Sequence, residues 1–184
     1  VETAEALLTT SEKSHEITRI LSDNPEIRRI DLSRQFERIA ATVAADWPAV
    51  SLAVSVPDEV VVTAIPAIES AIEELLRNAA AHNDHERPRV EVTVTVDDGM
   101  ADVRIVDNGP GISEFDREVI ESGTATEALT HGSGLGLWLV YWVVKRSNGE
   151  LAVEDREPRG TIISVSLPVV STTADGSQQA SGSR

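Results

Sequence analysis

The 184-residue chain carries 31 Asp plus Glu against 16 Lys plus Arg, a formal net charge of −15 at pH 7, and it has no cysteine. That charge disfavours nonspecific binding to nucleic acid and docking on an anionic membrane, and the missing cysteines exclude disulfide and cysteine-zinc frameworks. The length suits a single domain with its own core plus a short appendage.

Lys13 and Lys145 are the sole lysines, so the basic residues are overwhelmingly arginine. An acidic surface with arginine preferred over lysine fits a cytoplasm of high salt, where screening weakens self-repulsion. The longest apolar run, Leu135 to Val144, is about half of what a membrane span needs, and no signal peptide or lipidation motif is evident. The chain opens on Val rather than Met, which leads to the expectation of a longer parent protein, with room for a membrane segment upstream.

Ala4, Leu7, Leu8, Ile17, Ile20 and Leu21 recur at helical spacing among polar residues, and Asn24-Pro25 ends that segment. Arg29 to Leu32 reads as a short strand, and Ser33 as the cap of a helix running to about Asp46. Phe36, Ile39, Ala40 and Val43 form its inner side, and Trp47-Pro48 closes it. Leu52, Val54 and Val56 alternate with small or polar residues, and Val60 to Val62 follow Pro57-Asp58, which predicts two strands joined by a turn.

Pro66 to Asn83 predicts one amphipathic helix with two stripes. Ile68, Ile72, Leu75 and Ala79 form the core-facing stripe, while Glu74, Asn78 and His82, spaced i, i+4 and i+8, form a polar line roughly 90° round from it. An acid, a carboxamide and an imidazole beside a buried face suit either a ligand-facing wall or a solvated flank, since a carboxylate can take a proton and an amide oxygen can ligate a hard cation.

Val90, Val92, Val94 and Val96 alternate with polar residues, Asp97-Asp98-Gly99 makes a tight turn, and Ala101, Val103 and Ile105 resume the alternation, so a hairpin is predicted. The same period places Asp107 on the apolar face, where a carboxylate is costly unless paired. Asn108-Gly109-Pro110-Gly111 follows, its glycines allowing close backbone approach. Ser113 to Glu121 reads as a short helix with Phe115 inward, Ser122 to Thr130 as a mobile loop, and Leu137 to Val144 as an apolar helix with Asn148-Gly149 as its left-handed cap. Leu151 to Val153 and Thr161 to Leu167 predict a last hairpin with Gly160 before its second strand, and from Ser171 onward the composition predicts disorder.

Gly132-Ser133-Gly134-Leu135-Gly136 is neither a P-loop, which needs Lys where Leu137 stands, nor a dinucleotide fingerprint, which needs a strand before it. It is still a glycine turn feeding a helix N-terminus, whose free N–H groups can hold phosphate oxygens. In order, the E-x-x-x-N-x-x-x-H helix, the DNGPGI turn and the GSGLGL turn resemble the N, G1 and G2 boxes of the Bergerat-type ATPases, the superfamily of histidine kinases, gyrase B and MutL. The resemblance covers roughly Ile30 to Pro168. With the apolar helix after GLGL and the closing RGTIISVSLP, it is nearest to the ATP-binding domain of a sensor histidine kinase.

That resemblance implies an α+β two-layer sandwich, a mixed sheet with three helices on one face, over residues 28–169. Before it would stand the second helix of a dimerisation hairpin (1–24), and after it a disordered tail (170–184). It implies an ATP and Mg²⁺ site in which Asn78 ligates the metal and Asp107 accepts from the adenine amino group, with Thr161 beside it. Gly109, Gly111 and Ile112 would line the adenine site, and Ser133, Gly134, Leu135 and Gly136 would close over the phosphates.

Where relatives commonly carry a Lys three residues past the Asn, this chain has Ala81, leaving the phosphate contact to His82. Glu74 stands where ATP-hydrolysing relatives keep the acid that activates water, and base, support for the metal and plain surface acid all remain open for it. His15 lies in SHEIT, similar to a phosphoacceptor box, but too few residues separate it from Asn78, and the acceptor helix is expected upstream of Val1. No metal-ligand spacing joins His85 and His131.

The function implied is a cytoplasmic protein histidine kinase core, homodimeric through its N-terminal helix, that passes the γ-phosphoryl to a histidine and thence to a response-regulator receiver domain. An anti-sigma-type serine kinase and a nonenzymatic nucleotide-sensing module are the alternatives.

Overall fold

The computed structural model describes residues 26–124 and 135–170. The expected N-terminal helix with His15, the glycine-turn residues His131, Ser133 and Gly134 with most of the expected loop, and the tail from Ser171 lie outside the described residues.

Alternation of valine with polar residues builds the central hairpin. Strands β4 (Arg89–Asp97) and β5 (Met100–Asp107) pair antiparallel, with Val94 opposite Val103 and Val92 opposite Ile105. Asp98 (φ 46°) and Gly99 (φ 79°) supply the two left-handed residues that a two-residue hairpin turn needs. Strands β6 (Glu150–Asp155) and β7 (Thr161–Pro168) form the second hairpin, and β7 pairs antiparallel with β5.

With β2 (Ser51–Ser55) added parallel to β4, the sheet order is β2-β4-β5-β7-β6. One face buries Val90, Val92, Val94, Ala101, Val103, Ile105, Val165 and Leu167, while Glu91, Thr93, Thr95 and Arg104 between them are exposed. The helices therefore cover a single face, the two-layer α+β arrangement implied by the motifs.

The two strands expected between Leu52 and Val62 both exist, but they do not pair with each other. Strand β3 (Val61–Ala64) leaves the main sheet and pairs antiparallel with β1 (Arg28–Asp31), so the mixed sheet is accompanied by a separate two-stranded one. A bridge between Val62 and Val169, with Val170 N donating to Val61 O at 2.9 Å, ties this small sheet to the end of β7.

Helix α1 (Leu32–Asp46) buries Leu32, Phe36, Ile39 and Val43. Its cap is Asp31 rather than Ser33: the Asp31 carboxylate accepts from Arg34 N at 3.2 Å. Ser33 Oγ instead accepts from Val60 N (2.9 Å) and donates to Pro57 O (2.8 Å), clipping the helix start to the loop before β3.

Helix α2 (Ile68–Ala81) begins two residues later than expected, with Pro66 in the turn before it. Ile68, Ile72, Leu75 and Leu76 are at most 1% exposed, and full burial contributes roughly 1.5–3 kcal/mol per side chain of this size. That anchors the helix on the sheet and fixes which way its polar line faces.

Helix α3 (Glu114–Ser122) is capped by Ser113, whose Oγ accepts from Asp116 N at 3.1 Å. Helix α4 (Leu135–Arg146) buries Leu135, Leu139, Val140, Val143 and Val144 and ends at Asn148 (φ 56°), with Gly149 N donating to Val144 O at 2.9 Å. The buried Ser147 hydroxyl donates to Val143 O and accepts from Ile65 N, locking the end of α4 to the start of α2.

Candidate functional site

A cleft of about 390 Å³ opens between α2, the end of β5, the turn after it and the first turn of α4. Glu74, Asn78 and His82 of the polar line all reach it, as do Asp107, Gly111, Ile112, Gly136 and Thr161. Residues from four separate stretches of sequence thus meet in one concavity, because the buried stripe of α2 and the pleat of β5 each leave one polar edge facing the same gap.

Asp107 lines the cleft from the end of β5. It stands on the inward face of β5, as the alternation predicts, and is half-buried. Burial pushes its carboxyl above the ordinary 3.8, and this is only partly offset by the backbone N–H groups of Gly109 and Thr161, the Thr161 hydroxyl and the Arg156 charge. Gly109 N donates to Asp107 Oδ1 at 2.7 Å, and Arg156 Nη1 donates to the Asp107 carbonyl at 3.1 Å. The carboxylate is held by fixed donors and keeps acceptor capacity toward the cleft.

A side chain on Gly109 would place its Cβ 3.0 Å from Asp107 Oδ1, so this glycine positions the carboxylate and does not itself line the cleft. Leu135 also stays off the lining, buried at the start of α4.

Glu74 is 8% exposed, which rules out a plain surface acid. Its Oε2 lies 3.6 Å from Arg77 Nη1, and Arg77 Nη2 also bridges Glu73 at 2.9 Å. The reason an acid fits here is Gly136: a Cβ on that residue would lie 2.7 Å from Glu74 Cδ and 3.0 Å from Cγ. Glycine in the first turn of α4 leaves the space the carboxylate fills, at the helix end whose dipole favours negative charge.

The Asn78 carboxamide, half-buried on the same wall, has no hydrogen-bond partner among the described residues. His82 caps the C-terminus of α2 at the rim and is exposed. No group of three or more His, Cys, Asp or Glu among the described residues is placed to hold a metal ion. An unengaged carboxamide oxygen beside one carboxylate fits a cation such as Mg²⁺, which takes one or two protein oxygens and completes its shell with phosphates and water.

Of the apolar lining, only Ile112 was singled out from sequence as a site residue. Leu75, Ala79, Ile105, Leu137 and Ile163 supply apolar lining, with Pro110 and Asp116 also bordering the cleft. Their signal was core periodicity, and periodicity does not say which core residues border a gap.

Residues 63–171 match the family described as histidine kinase-, DNA gyrase B-, and HSP90-like ATPase. The sensor protein kinase CarS of Pseudomonas aeruginosa is 36% identical over 96 residues, 52% of this chain and 21% of CarS. The chain therefore spans about a fifth of that curated relative. The mycobacterial sensor histidine kinase MprB is 29% identical with a TM-score of 0.64, covering 77% of this chain and 98% of that one. Full-length ShkA in complex with AMPPNP shares the fold at 19% identity, TM-score 0.71, over 92% of this chain and 37% of ShkA. No helix among the described residues is long and apolar enough to cross a membrane.

Proposed function

Because this chain belongs to the family of histidine kinase-, DNA gyrase B- and HSP90-like ATPases, we propose that it is the ATP-dependent kinase core of a two-component sensor, phosphorylating a histidine on a dimerisation helix. The observation that carries this is the convergence of Asp107 and Asn78 on one cleft that apolar side chains also line.

In this reading ATP supplies the γ-phosphoryl group, exchanging a P–O bond to ADP for a P–N bond to the acceptor, and a Mg²⁺ ion held by Asn78 would supply neutralising charge to the phosphates. Asp107, braced by Gly109 and Thr161, accepts a hydrogen bond from the adenine amino group. Ile105, Ile163 and Leu75 exclude water from the ring. Asn78 offers its oxygen to the metal, and His82 at the rim contacts phosphate. Ser133 and Gly134, outside the described residues, would contribute contacts to the phosphates. Glu74 stands beside them as a base or as support for the metal. The acceptor is a histidine on a dimerisation helix, the kinase works as a homodimer, and a response-regulator receiver domain in the cytoplasm takes the phosphoryl group next.

The test is ATP binding with and without Mg²⁺, followed by phosphotransfer to a supplied dimerisation hairpin. Asn78→Ala and Asp107→Ala should each weaken ATP about 10- to 100-fold, the range for losing a hydrogen bond to a charged group. Unchanged affinity in either variant would remove the basis of the proposal. Binding without transfer would favour a nonenzymatic nucleotide-sensing module.

The buried Glu74 supports one second reading, an anti-sigma-type serine kinase, because a carboxylate in the cleft suits deprotonation of a hydroxyl. Acid treatment separates the two: phosphohistidine is lost and phosphoserine survives.

A further inference from the structure

A second pocket, of about 350 Å³, shares no lining residue with the first. Four of the chain's 16 basic residues converge on it, namely Arg87, Arg89, Arg156 and Arg159, together with His85 and Asn108. No acid is among the described residues that line it. In a chain of net charge −15 this local excess of positive charge runs against the whole surface, and mutual repulsion makes it unfavourable unless an anion relieves it.

Internal pairing relieves two of the four. Arg159 Nη2 meets Asp84 Oδ1 at 2.6 Å, and Arg156 donates to the Asp107 carbonyl while its charge acts on the Asp107 carboxylate. Arg87 and Arg89 make no ion pair among the described residues, and both are exposed.

The backbone beneath them is fixed in advance. Asn108 Oδ1 accepts from Arg89 N (2.7 Å) and Asn83 Nδ2 (3.0 Å), and Asn108 Nδ2 donates to Arg87 O at 3.0 Å. His85 Nδ1 accepts from Arg87 N at 2.9 Å, which leaves Nε2 as the donor of the neutral ring. The pocket therefore presents donors and positive charge on a braced frame.

We propose that this pocket binds a compact anion carrying two or more phosphate groups. Guanidinium forks match phosphate oxygens bidentately, the lining draws arginines from two segments, 87–89 and 156–159, with Arg87 and Arg89 left to a ligand, and the volume is that of a small-molecule site. The site is independent of the nucleotide reading.

The probe is inorganic pyrophosphate, titrated calorimetrically into the 184-residue chain with chelator present. Binding is expected, weakened at least about tenfold in Arg87→Glu with Arg159→Glu and unchanged in Asn78→Ala with His82→Ala. If charge reversal unfolds the chain by circular dichroism, Arg87→Gln with Arg159→Gln makes the same comparison. Failure of the parent chain to bind, equal affinity in the arginine variants, loss in the Asn78 and His82 variant, or tighter binding of an acidic peptide than of pyrophosphate would each overturn the proposal.

Discussion

Gly160 is the place where the geometry of the cleft can be tested through stability. It has φ +123°, and a Cβ there would lie 2.9 Å from the Asp107 carbonyl carbon and 3.0 Å from Asn108 Cα, with the Asp107 carbonyl oxygen nearer still. Those neighbours are backbone, so no side-chain rotation relieves the clash. Nor can Asp107 retreat easily, since its carbonyl accepts from Arg156 and its strand is paired with β7.

Alanine at 160 should therefore lose about 1–2 kcal/mol to the dihedral and a further 1–3 kcal/mol, roughly, to overpacking. Gly99 is the matched control: φ is +79°, yet nothing lies within 4 Å of a Cβ there, so Gly99→Ala carries the dihedral part alone. Urea unfolding followed by tryptophan fluorescence should place Gly160→Ala at least about 1 kcal/mol below Gly99→Ala, the low end of the overpacking range. Any fold retained should bind ATP more weakly, because β7 and Asp107 must part. If the two variants unfold at the same midpoint, the close approach of Gly160 to Asp107 is not a feature of the molecule.

Glu74→Gln should keep ATP affinity within about threefold while slowing phosphoryl transfer roughly 10²-fold or more, the scale of a lost general base; an unchanged single-turnover rate would leave Glu74 a positioning role. Because Asp107 is raised above 3.8 by burial, the folded state holds its proton to higher pH than the unfolded chain does. Its contribution to stability therefore falls as pH rises from that value through the folded one and is constant above it. ATP affinity should run the opposite way, declining as pH falls through the raised value, and a Kd flat from neutral pH down to the ordinary aspartate range would contradict the role given to this carboxylate. The charge of −15 predicts a urea midpoint that rises as the screening length shrinks from ~30 Å at 0.01 M salt to ~3 Å at 1 M; a midpoint indifferent to salt would show that self-repulsion is not limiting.

Much of this was legible before any coordinates. Residues 90–105 state their pairing outright, since period-two alternation on both sides of Asp97-Asp98-Gly99 permits one register that buries every valine from 90 to 94. Asp107 followed by extending that period. The partner of β3 did not, because four residues of Val-Val-Thr-Ala carry no record of which strand they meet, and here that strand is β1, some thirty residues earlier in the chain.

Asp31 and Ser33 are both able to cap, and the choice between them depends on where β1 stops, a matter of pairing with β3 rather than of propensity. The burial of Glu74 was hidden for a related reason. Its own helix shows an acid at the margin of a stripe, and the missing methyl that makes room for it belongs to Gly136, 62 positions on.

The small sheet beside the end of β7 has a mechanical corollary. Val170 N meets Val61 O, and Val61 faces Asp31 across the β1–β3 ladder, so residues 31 and 170 stand at one corner of the fold, with Arg28 only roughly 10 Å along its strand. A fragment cut to residues 28–170 would have its two cut ends near one another, and so could be spliced into a foreign loop, or closed by a brief linker and opened elsewhere, with little strain on the fold.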